Sequence, residues 1–195
     1  MALLVCSMTG ASAQAVDGRR HEANPDQAAR SAPRYLLMDP QGRAVTNEDF
    51  RGRFQLVTFG FVSCPDVCPT TLLQFKTILH SLGNKAGRLQ PVFITIDPER
   101  DSREILRTYT AAFDARILGL TGSPELLRRA AESFRVQYEK VREPGAKPDI
   151  YTMNHTAGMF LLDPDGILLA TFSYEMPADE ISRRIGAAIA SGDYR

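Results

Sequence analysis

The sequence contains no apolar run that approaches the roughly 20 residues of a membrane-spanning helix. It also has no excess of charge, since 23 Lys and Arg residues balance 23 Asp and Glu residues. This balance argues against broad electrostatic binding to nucleic acid or to an anionic membrane. No internal repeat and no low-complexity segment is present in the sequence. The 195 residues therefore predict one domain with its own hydrophobic core, together with a tail.

Cysteine is scarce, and the three cysteines are Cys6, Cys64 and Cys68. Cys6 lies in residues 1–13, a short apolar segment that ends in Ala-Ser-Ala, a pattern typical of signal-peptide cleavage. The segment lacks the usual basic residues, so we interpret it as a signal peptide or an anchor remnant, with a disordered cytosolic tail as the alternative. Cleavage would leave two cysteines, an even number that suits an oxidising compartment.

Residues 14–33 are polar and lack hydrophobic periodicity, which predicts a linker before a domain of residues 34–195. Within the domain, the pattern predicts strands at 35–38, 43–45, 55–61, 91–96, 116–120, 136–141, 157–162 and 167–174. It predicts helices at 66–82, 101–113, 123–134 and 177–190. Residues 142–154 contain proline and glycine and predict a loop. This order indicates a three-layer α/β domain with a central mixed sheet and an N-terminal β-hairpin.

Cys64 and Cys68 follow the strand predicted at 55–61 and are each followed by proline. If they open a helix, their Cβ atoms lie roughly 5–6 Å apart on one face. Two such sulfurs can form a disulfide or bind one soft metal ion. A helix N-terminus stabilises a thiolate, so we expect both thiols to be nucleophilic and able to bind metal. The alternative of inert buried cysteines is disfavoured by the motif around them.

His155 is the third candidate ligand, because it directly precedes the strand predicted at 157–162. If that strand is antiparallel to 55–61, His155 lies at the same sheet edge as the cysteines. Two thiolates and one imidazole make a soft site that suits Cu(I), whereas structural zinc requires four closed ligands. The residues therefore favour copper over zinc, and a dithiol redox site without metal remains open.

Asp97, Asp101 and Met153 are candidates for contacts around these ligands. Asp101 begins an Asp-Ser-Arg-Glu pattern typical of a capping box, so capping of the helix at 101–113 is its simpler role. Asp97 has a similar alternative, since it can accept N–H groups of a turn. Met153 precedes His155 by two residues and would share its side of an extended chain. Its thioether suits Cu(I), although filling the core is the simpler interpretation.

The domain carries a set of motifs: Asp49-Phe-Arg-Gly52, Phe59-Gly-Phe61, Cys64-Pro-Asp-Val-Cys-Pro-Thr70, Asp97-Pro-Glu-Arg-Asp101, Leu120-Thr-Gly122 and Tyr151-x-x-x-His155. In this combination, over residues 35–190, the chain resembles the SCO/SenC family of copper-binding proteins for cytochrome c oxidase assembly. Many relatives have Thr-His where this chain has Val62-Ser63. That histidine is not the usual ligand, so the resemblance still implies copper binding.

The resemblance implies a thioredoxin-like fold with copper held by Cys64, Cys68 and His155. It implies copper delivery to, or thiol reduction at, the binuclear copper centre of the oxidase. The expected partner is the copper-binding subunit of the oxidase or another copper chaperone. The expected location is periplasmic or otherwise extracytoplasmic, on a membrane tether upstream of the domain, although the N-terminal anchor pattern is weak here.

Two functions follow from these residues. The first is a copper metallochaperone, and the second is an extracytoplasmic thiol–disulfide oxidoreductase in which Cys64 and Cys68 are the redox pair. His155 distinguishes them, because a pure dithiol reductase has no need of an imidazole at this place. The sequence favours the metallochaperone and leaves a reductase activity on oxidised partner cysteines open.

Overall fold

A computed structural model describes residues 32–147 and 150–192 of the chain. The strands are Leu36–Met38 (β1), Ala44–Thr46 (β2), Phe54–Gly60 (β3), Leu89–Thr95 (β4), Leu118–Leu120 (β5), Tyr138–Val141 (β6), Thr152–His155 (β7), Met159–Leu162 (β8) and Leu168–Phe172 (β9). The α-helices are Val67–Leu82 (α1), Arg103–Phe113 (α2), Pro124–Ser133 (α3) and Ala178–Ser191 (α4). Within these ranges, none of the helices has the length and apolar character needed to cross a membrane. The signal-peptide interpretation of 1–13 lies outside the described residues.

The central sheet has the strand order β5-β4-β3-β8-β9. β3 is parallel to β4, and β4 is parallel to β5, whereas β8 is antiparallel to both β3 and β9. All seven residues of β3 are buried, as expected for a strand covered on both faces. α1 packs along α4, and α2 covers β5. The predicted α/β class with a central mixed sheet is confirmed.

The predicted N-terminal hairpin is formed by β1 and β2, which pair in antiparallel fashion. Met38 and Thr121 exchange two backbone hydrogen bonds of 2.7 and 3.0 Å, and these join the hairpin to the chain just after β5. Buried Gln55 gives a second link, since it accepts a 2.8 Å bond from the Tyr35 hydroxyl and donates a 3.0 Å bond to the Asn47 carbonyl. The hairpin is therefore tied to both the edge and the interior of the sheet.

A second hairpin, formed by β6 and β7, corrects the prediction of a loop over 142–154. Residues 152–154 belong to β7, which pairs with β6 so that His155 lies opposite Tyr138. The proline and glycine residues that suggested a loop precede β7, and its four residues gain strand geometry from their partner. Among the described strands, β6 and β7 pair only with each other.

The starts of two helices also differ from expectation. α2 begins at Arg103, and the Ser102 hydroxyl accepts a 3.2 Å bond from the Ile105 N–H as its N-cap. The prediction that Asp101 caps this helix is therefore wrong, because the N-cap is the next residue, Ser102. α1 begins at Val67, so Cys64 precedes this helix instead of opening it.

We predict that Gln55→Leu lowers the free energy of unfolding by about 2–6 kcal/mol, because two buried groups lose their partners at about 1–3 kcal/mol each. Gln90, its register partner on β4, is half-buried, and Gln90→Leu should cost less than about 1 kcal/mol. Urea unfolding of both variants measures the difference. Equal losses would mean that the Gln55 bonds do not stabilise the hairpin junction.

Candidate thiol and metal site

Cys64 lies in a turn between β3 and α1, where its N–H donates a 3.3 Å bond to the Phe61 carbonyl. Its sulfur accepts a 3.5 Å hydrogen bond from the N–H of Cys68 in the first turn of α1. The N-cap residue Asp66 makes no capping bond with its side chain. The Cys64 sulfur thus lies where a capping oxygen normally does.

The two thiols are in different environments. Cys68 is only 2% exposed, and Cys64 is half-buried. Burial raises the pKa of the Cys68 thiol, and its hydrogen bond with Cys64 acts in the same direction. The expectation that the helix would lower the pKa of both thiols is therefore wrong for Cys68. Both cysteines are reduced in the structure.

Gly60, the last residue of β3, allows the Cys68 sulfur to lie close to the strand. A Cβ atom at this position would be 2.7 Å from the Cys68 Sγ and 2.9 Å from the ring of Phe93. Real Cβ atoms do not approach other atoms this closely, so a larger residue would displace the sulfur or the ring. The end of β3 is therefore shaped around Cys68.

His155, at the end of β7, approaches Cys68 from the other side. Its Nε2 is 4.0 Å from the Cys68 Sγ, and its Nδ1 is 3.0 Å from the Thr156 carbonyl oxygen. A carbonyl oxygen only accepts hydrogen bonds, so Nδ1 carries the proton and the Nε2 lone pair points towards the sulfur. Burial lowers the pKa of His155, which favours this neutral form.

The space between Cys68 and His155 is too narrow to admit a water molecule. On its other side, His155 borders an open depression of about 380 Å³, lined mainly by polar residues of the β6–β7 hairpin. In the described part of the chain, no three Cys, His, Asp or Glu side chains already stand in an arrangement that could hold a metal ion. The structure brings Cys64, Cys68 and His155 to one sheet edge, and their assignment as metal ligands stays a prediction.

The aspartates named from the sequence hold loops. Asp101 is buried, and its carboxylate accepts bonds of 3.1 Å from the Val62 N–H and 2.6 Å from the Thr95 hydroxyl. Burial raises the pKa of Asp101. Asp97 accepts a 2.8 Å bond from the Tyr151 hydroxyl and pairs with Arg100. Both carboxylates therefore connect segments that carry the candidate ligands.

Met153 shares the side of β7 with His155, as the period of two predicts, but it is buried in the hydrophobic core. This burial favours the simpler interpretation of Met153 as a core residue. Its suggested contact with the metal stays a prediction.

Three residues near the site received no role from the sequence. Arg100 stacks on the ring of Tyr151, with its guanidinium carbon 3.8 Å from the ring centroid. The buried hydroxyl of Tyr109 has no hydrogen-bond partner among the described residues. Burial raises the pKa of this hydroxyl, and the nearby sulfurs of Cys68 and Cys64 raise it further. Arg100 and Tyr151 lie within quoted motifs, which could have drawn attention to them. No local pattern distinguishes Tyr109 from an ordinary helical residue.

Comparisons with known proteins point to one family. The SCO1/SenC family model matches residues 23–190. The human protein SCO2 homolog, mitochondrial, is 37% identical over 167 residues, which cover 85% of this chain and 62% of the human protein. Yeast Sco1 with copper bound superposes with a TM-score of 0.75 at 32% identity, covering 83% of this chain and 90% of that one.

A bacterial structure gives a similar result. Bradyrhizobium japonicum ScoI with copper bound has a TM-score of 0.72 at 34% identity, covering 79% of this chain and 96% of that one. The chain spans about three fifths of the length of the curated relatives from human and Schizosaccharomyces pombe, 62% and 59% respectively.

We predict that iodoacetamide alkylates Cys64 faster than Cys68 in the folded, reduced protein. Cys64 is more accessible, whereas Cys68 is buried with a raised pKa. Peptide mass spectrometry after timed quenching measures both rates. The two rates should converge in guanidinium chloride, and equal rates in the folded protein would contradict this description of the site.

Proposed function

The chain belongs to the SCO1/SenC family, and we propose that it is a copper metallochaperone that binds its cargo through Cys64, Cys68 and His155. The observation that carries this proposal is the approach of the His155 Nε2 lone pair to within 4.0 Å of the Cys68 sulfur. Similar proteins from yeast and Bradyrhizobium japonicum have been solved with copper bound. The proposed recipient is the copper-binding subunit of cytochrome c oxidase or another copper chaperone.

The distances and donor types support a soft metal ion. A first-row ion such as zinc binds sulfur at about 2.3 Å and imidazole nitrogen at about 2.0 Å, so one ion can join atoms up to about 4.3 Å apart. The separation of Cys68 and His155 lies within this reach. Two sulfurs and one neutral imidazole suit Cu(I), and a water or carboxylate could complete the coordination of Cu(II).

The different exposure of the donors suggests how cargo could leave the site. Cys64 is the more accessible thiol, and His155 borders the open depression beside the β6–β7 hairpin. Ligands of a recipient can therefore replace these two donors before the buried Cys68.

We further propose an extracytoplasmic location, periplasmic in a bacterium, with a membrane tether upstream of the domain. The Ala-Ser-Ala pattern near the N-terminus supports this location.

A second candidate function, thiol–disulfide exchange, is favoured by the unequal burial of the two cysteines. The Cys64 thiolate would attack a partner disulfide, forming a mixed disulfide and releasing one partner thiolate. The Cys68 thiolate would then attack the Cys64 sulfur and release the second partner thiolate. The dithiol supplies two electrons and ends as the Cys64–Cys68 disulfide, and its two protons go to the partner.

We predict that Cys64→Ser and Cys68→Ser abolish tight Cu(I) binding, because each leaves only one thiolate. His155→Ala should weaken Cu(I) binding modestly and Cu(II) binding much more, since Cu(II) depends on imidazole. Competition titrations and thermal melts with each ion rank the three variants by their affinity for copper. Copper at a free concentration a thousandfold above Kd stabilises the folded state by about 4 kcal/mol.

His80→Ala is the matched control, because His80 is exposed on α1 and should leave copper binding unchanged. Air-oxidised protein, which should be lighter by two hydrogens, should not take up Cu(I). Equal uptake by the oxidised and reduced forms, or equal Cu(II) affinity of His155→Ala and the unchanged protein, would contradict the proposed ligands.

For the second function, we expect Cys68→Ser to accumulate a mixed disulfide at Cys64 when it is mixed with a peptide containing one disulfide. Cys64→Ser should form much less adduct, because Cys68 is buried. Non-reducing electrophoresis and peptide mapping identify the linked residue. An adduct that forms mainly on Cys68 would exclude this order of attack.

A further inference from the structure

The loop of residues 97–101 contacts both halves of the proposed copper site. It follows β4, whose last residue, Thr95, pairs with Gly60 at the end of β3. One end of the loop bonds to the segment that carries the cysteines, and the other end bonds to the hairpin that carries His155. The loop therefore lies where it can fix the distance between the two halves.

On the cysteine side, the loop acts through Asp101. Its carboxylate accepts the N–H of Val62, two residues before Cys64, and the hydroxyl of Thr95 in β4. The Asp101 side chain is buried, and hydrogen bonds to a buried carboxylate are strong. The start of the cysteine turn is thereby tied to β4.

On the histidine side, the loop acts through Tyr151, which directly precedes β7. The Tyr151 hydroxyl donates a 2.8 Å bond to Asp97, and Arg100 donates a 3.0 Å bond to the Tyr151 carbonyl. Arg100 also pairs with Asp97 and stacks on the Tyr151 ring at 3.8 Å. Burial, together with the bond to Asp97, raises the pKa of Tyr151 to about 12.

Side chains, and not strand pairing, attach the hairpin to the rest of the described domain. A two-stranded hairpin is marginally stable alone, and β6 and β7 pair only with each other among the described strands. Lys140 of β6 forms an ion pair with Glu99, and its ammonium also lies 4.3 Å from the centroid of the Tyr151 ring. Lys140 of β6 and Tyr151, which precedes β7, therefore both contact the 97–101 loop.

We propose that Tyr151, held by Asp97 and Arg100, is a positioning residue that sets the imidazole of His155 against Cys68. Tyr151 directly precedes β7 and His155 ends this short strand, so an anchor at Tyr151 limits movement of His155 along and away from the sheet edge. This inference rests on the proposed copper function, because it assigns Tyr151 a role in copper binding. The contacts of Tyr151 with Asp97 and Arg100 are present without metal. Phe61 completes the contact, since its ring packs edge-on against His155 and lies 5.9 Å from the Arg100 guanidinium carbon.

The test compares Tyr151→Phe with Tyr35→Phe. Each variant removes one tyrosine hydroxyl that donates a 2.8 Å bond to a buried side chain, but Tyr35 bonds to Gln55 at the N-terminal hairpin. Both keep the aromatic ring, so both should fold. A purely structural effect of losing the bond should be seen equally in the two variants.

The first readout uses the metal-free protein. Amide hydrogen exchange in β7 should become about tenfold faster in Tyr151→Phe and should not change in Tyr35→Phe. The second readout is Cu(II) affinity, which should fall about tenfold in Tyr151→Phe and stay unchanged in Tyr35→Phe. In a His155→Ala background, Tyr151→Phe should cause no further loss, because the residue it positions is gone.

The outcomes separate this inference from the proposed function. If His155→Ala lowers Cu(II) affinity but Tyr151→Phe changes neither β7 exchange nor affinity, the positioning role is overturned and the copper function stands. If Tyr151→Phe weakens copper binding equally with and without His155, it acts on the whole fold, and the inference is also overturned. If the unchanged protein fails to bind copper, the proposed function fails, while faster β7 exchange would still establish the anchor.

Discussion

The site depends on the shared edge at which β3, β4 and β8 meet. Gly60 and Thr95, the last residues of the parallel strands β3 and β4, are register partners. Met159, the first residue of antiparallel β8, pairs with Thr58 two residues before that edge. Because of this register, three segments lie within one small region. They are the turn from β3 to Cys64, the turn from β4 to Asp97 and the chain that leads from His155 into β8. A shift of β3 by one residue would turn its side chains to the opposite faces and separate these segments.

Burial and charge act in opposite directions within this region. Desolvation favours the neutral forms of Cys68 and His155, and it raises the pKa of Asp101. Cys64 lies at the N-terminus of α1, where its sulfur accepts a hydrogen bond from the N–H of Cys68. A bound metal ion would supply the missing positive charge for Cys68, so binding and deprotonation are coupled at this residue.

Strong local patterns made the central sheet and the helices predictable from sequence. The apolar run at 55–61 and the Asp-Pro-x-Gly turns lead directly to β3 and to the two hairpins that contain Asp39 and Asp163. β7 was missed, because its strand geometry comes from pairing with β6, which lies across a loop rich in proline and glycine. The role of Asp101 was missed for a similar reason. Its partner Val62 is 39 residues away, whereas the capping pattern that suggested another role is local.

The candidate donors also differ in how firmly the fold holds them. The cysteines lie between a fully buried strand and a helix of 16 residues, whereas His155 ends a four-residue strand in a separate hairpin. Local opening requires less free energy where few buried contacts must break, so the histidine side is the part that can move while the rest of the domain stays folded. A carrier must hold its cargo and also release it. The sulfurs are held by the sheet and α1, whereas the imidazole lies on a hairpin that side chains, including the buried Met153, attach to the domain. If Tyr151 positions His155 as proposed, its contacts with the 97–101 loop add to the free energy that movement of His155 requires.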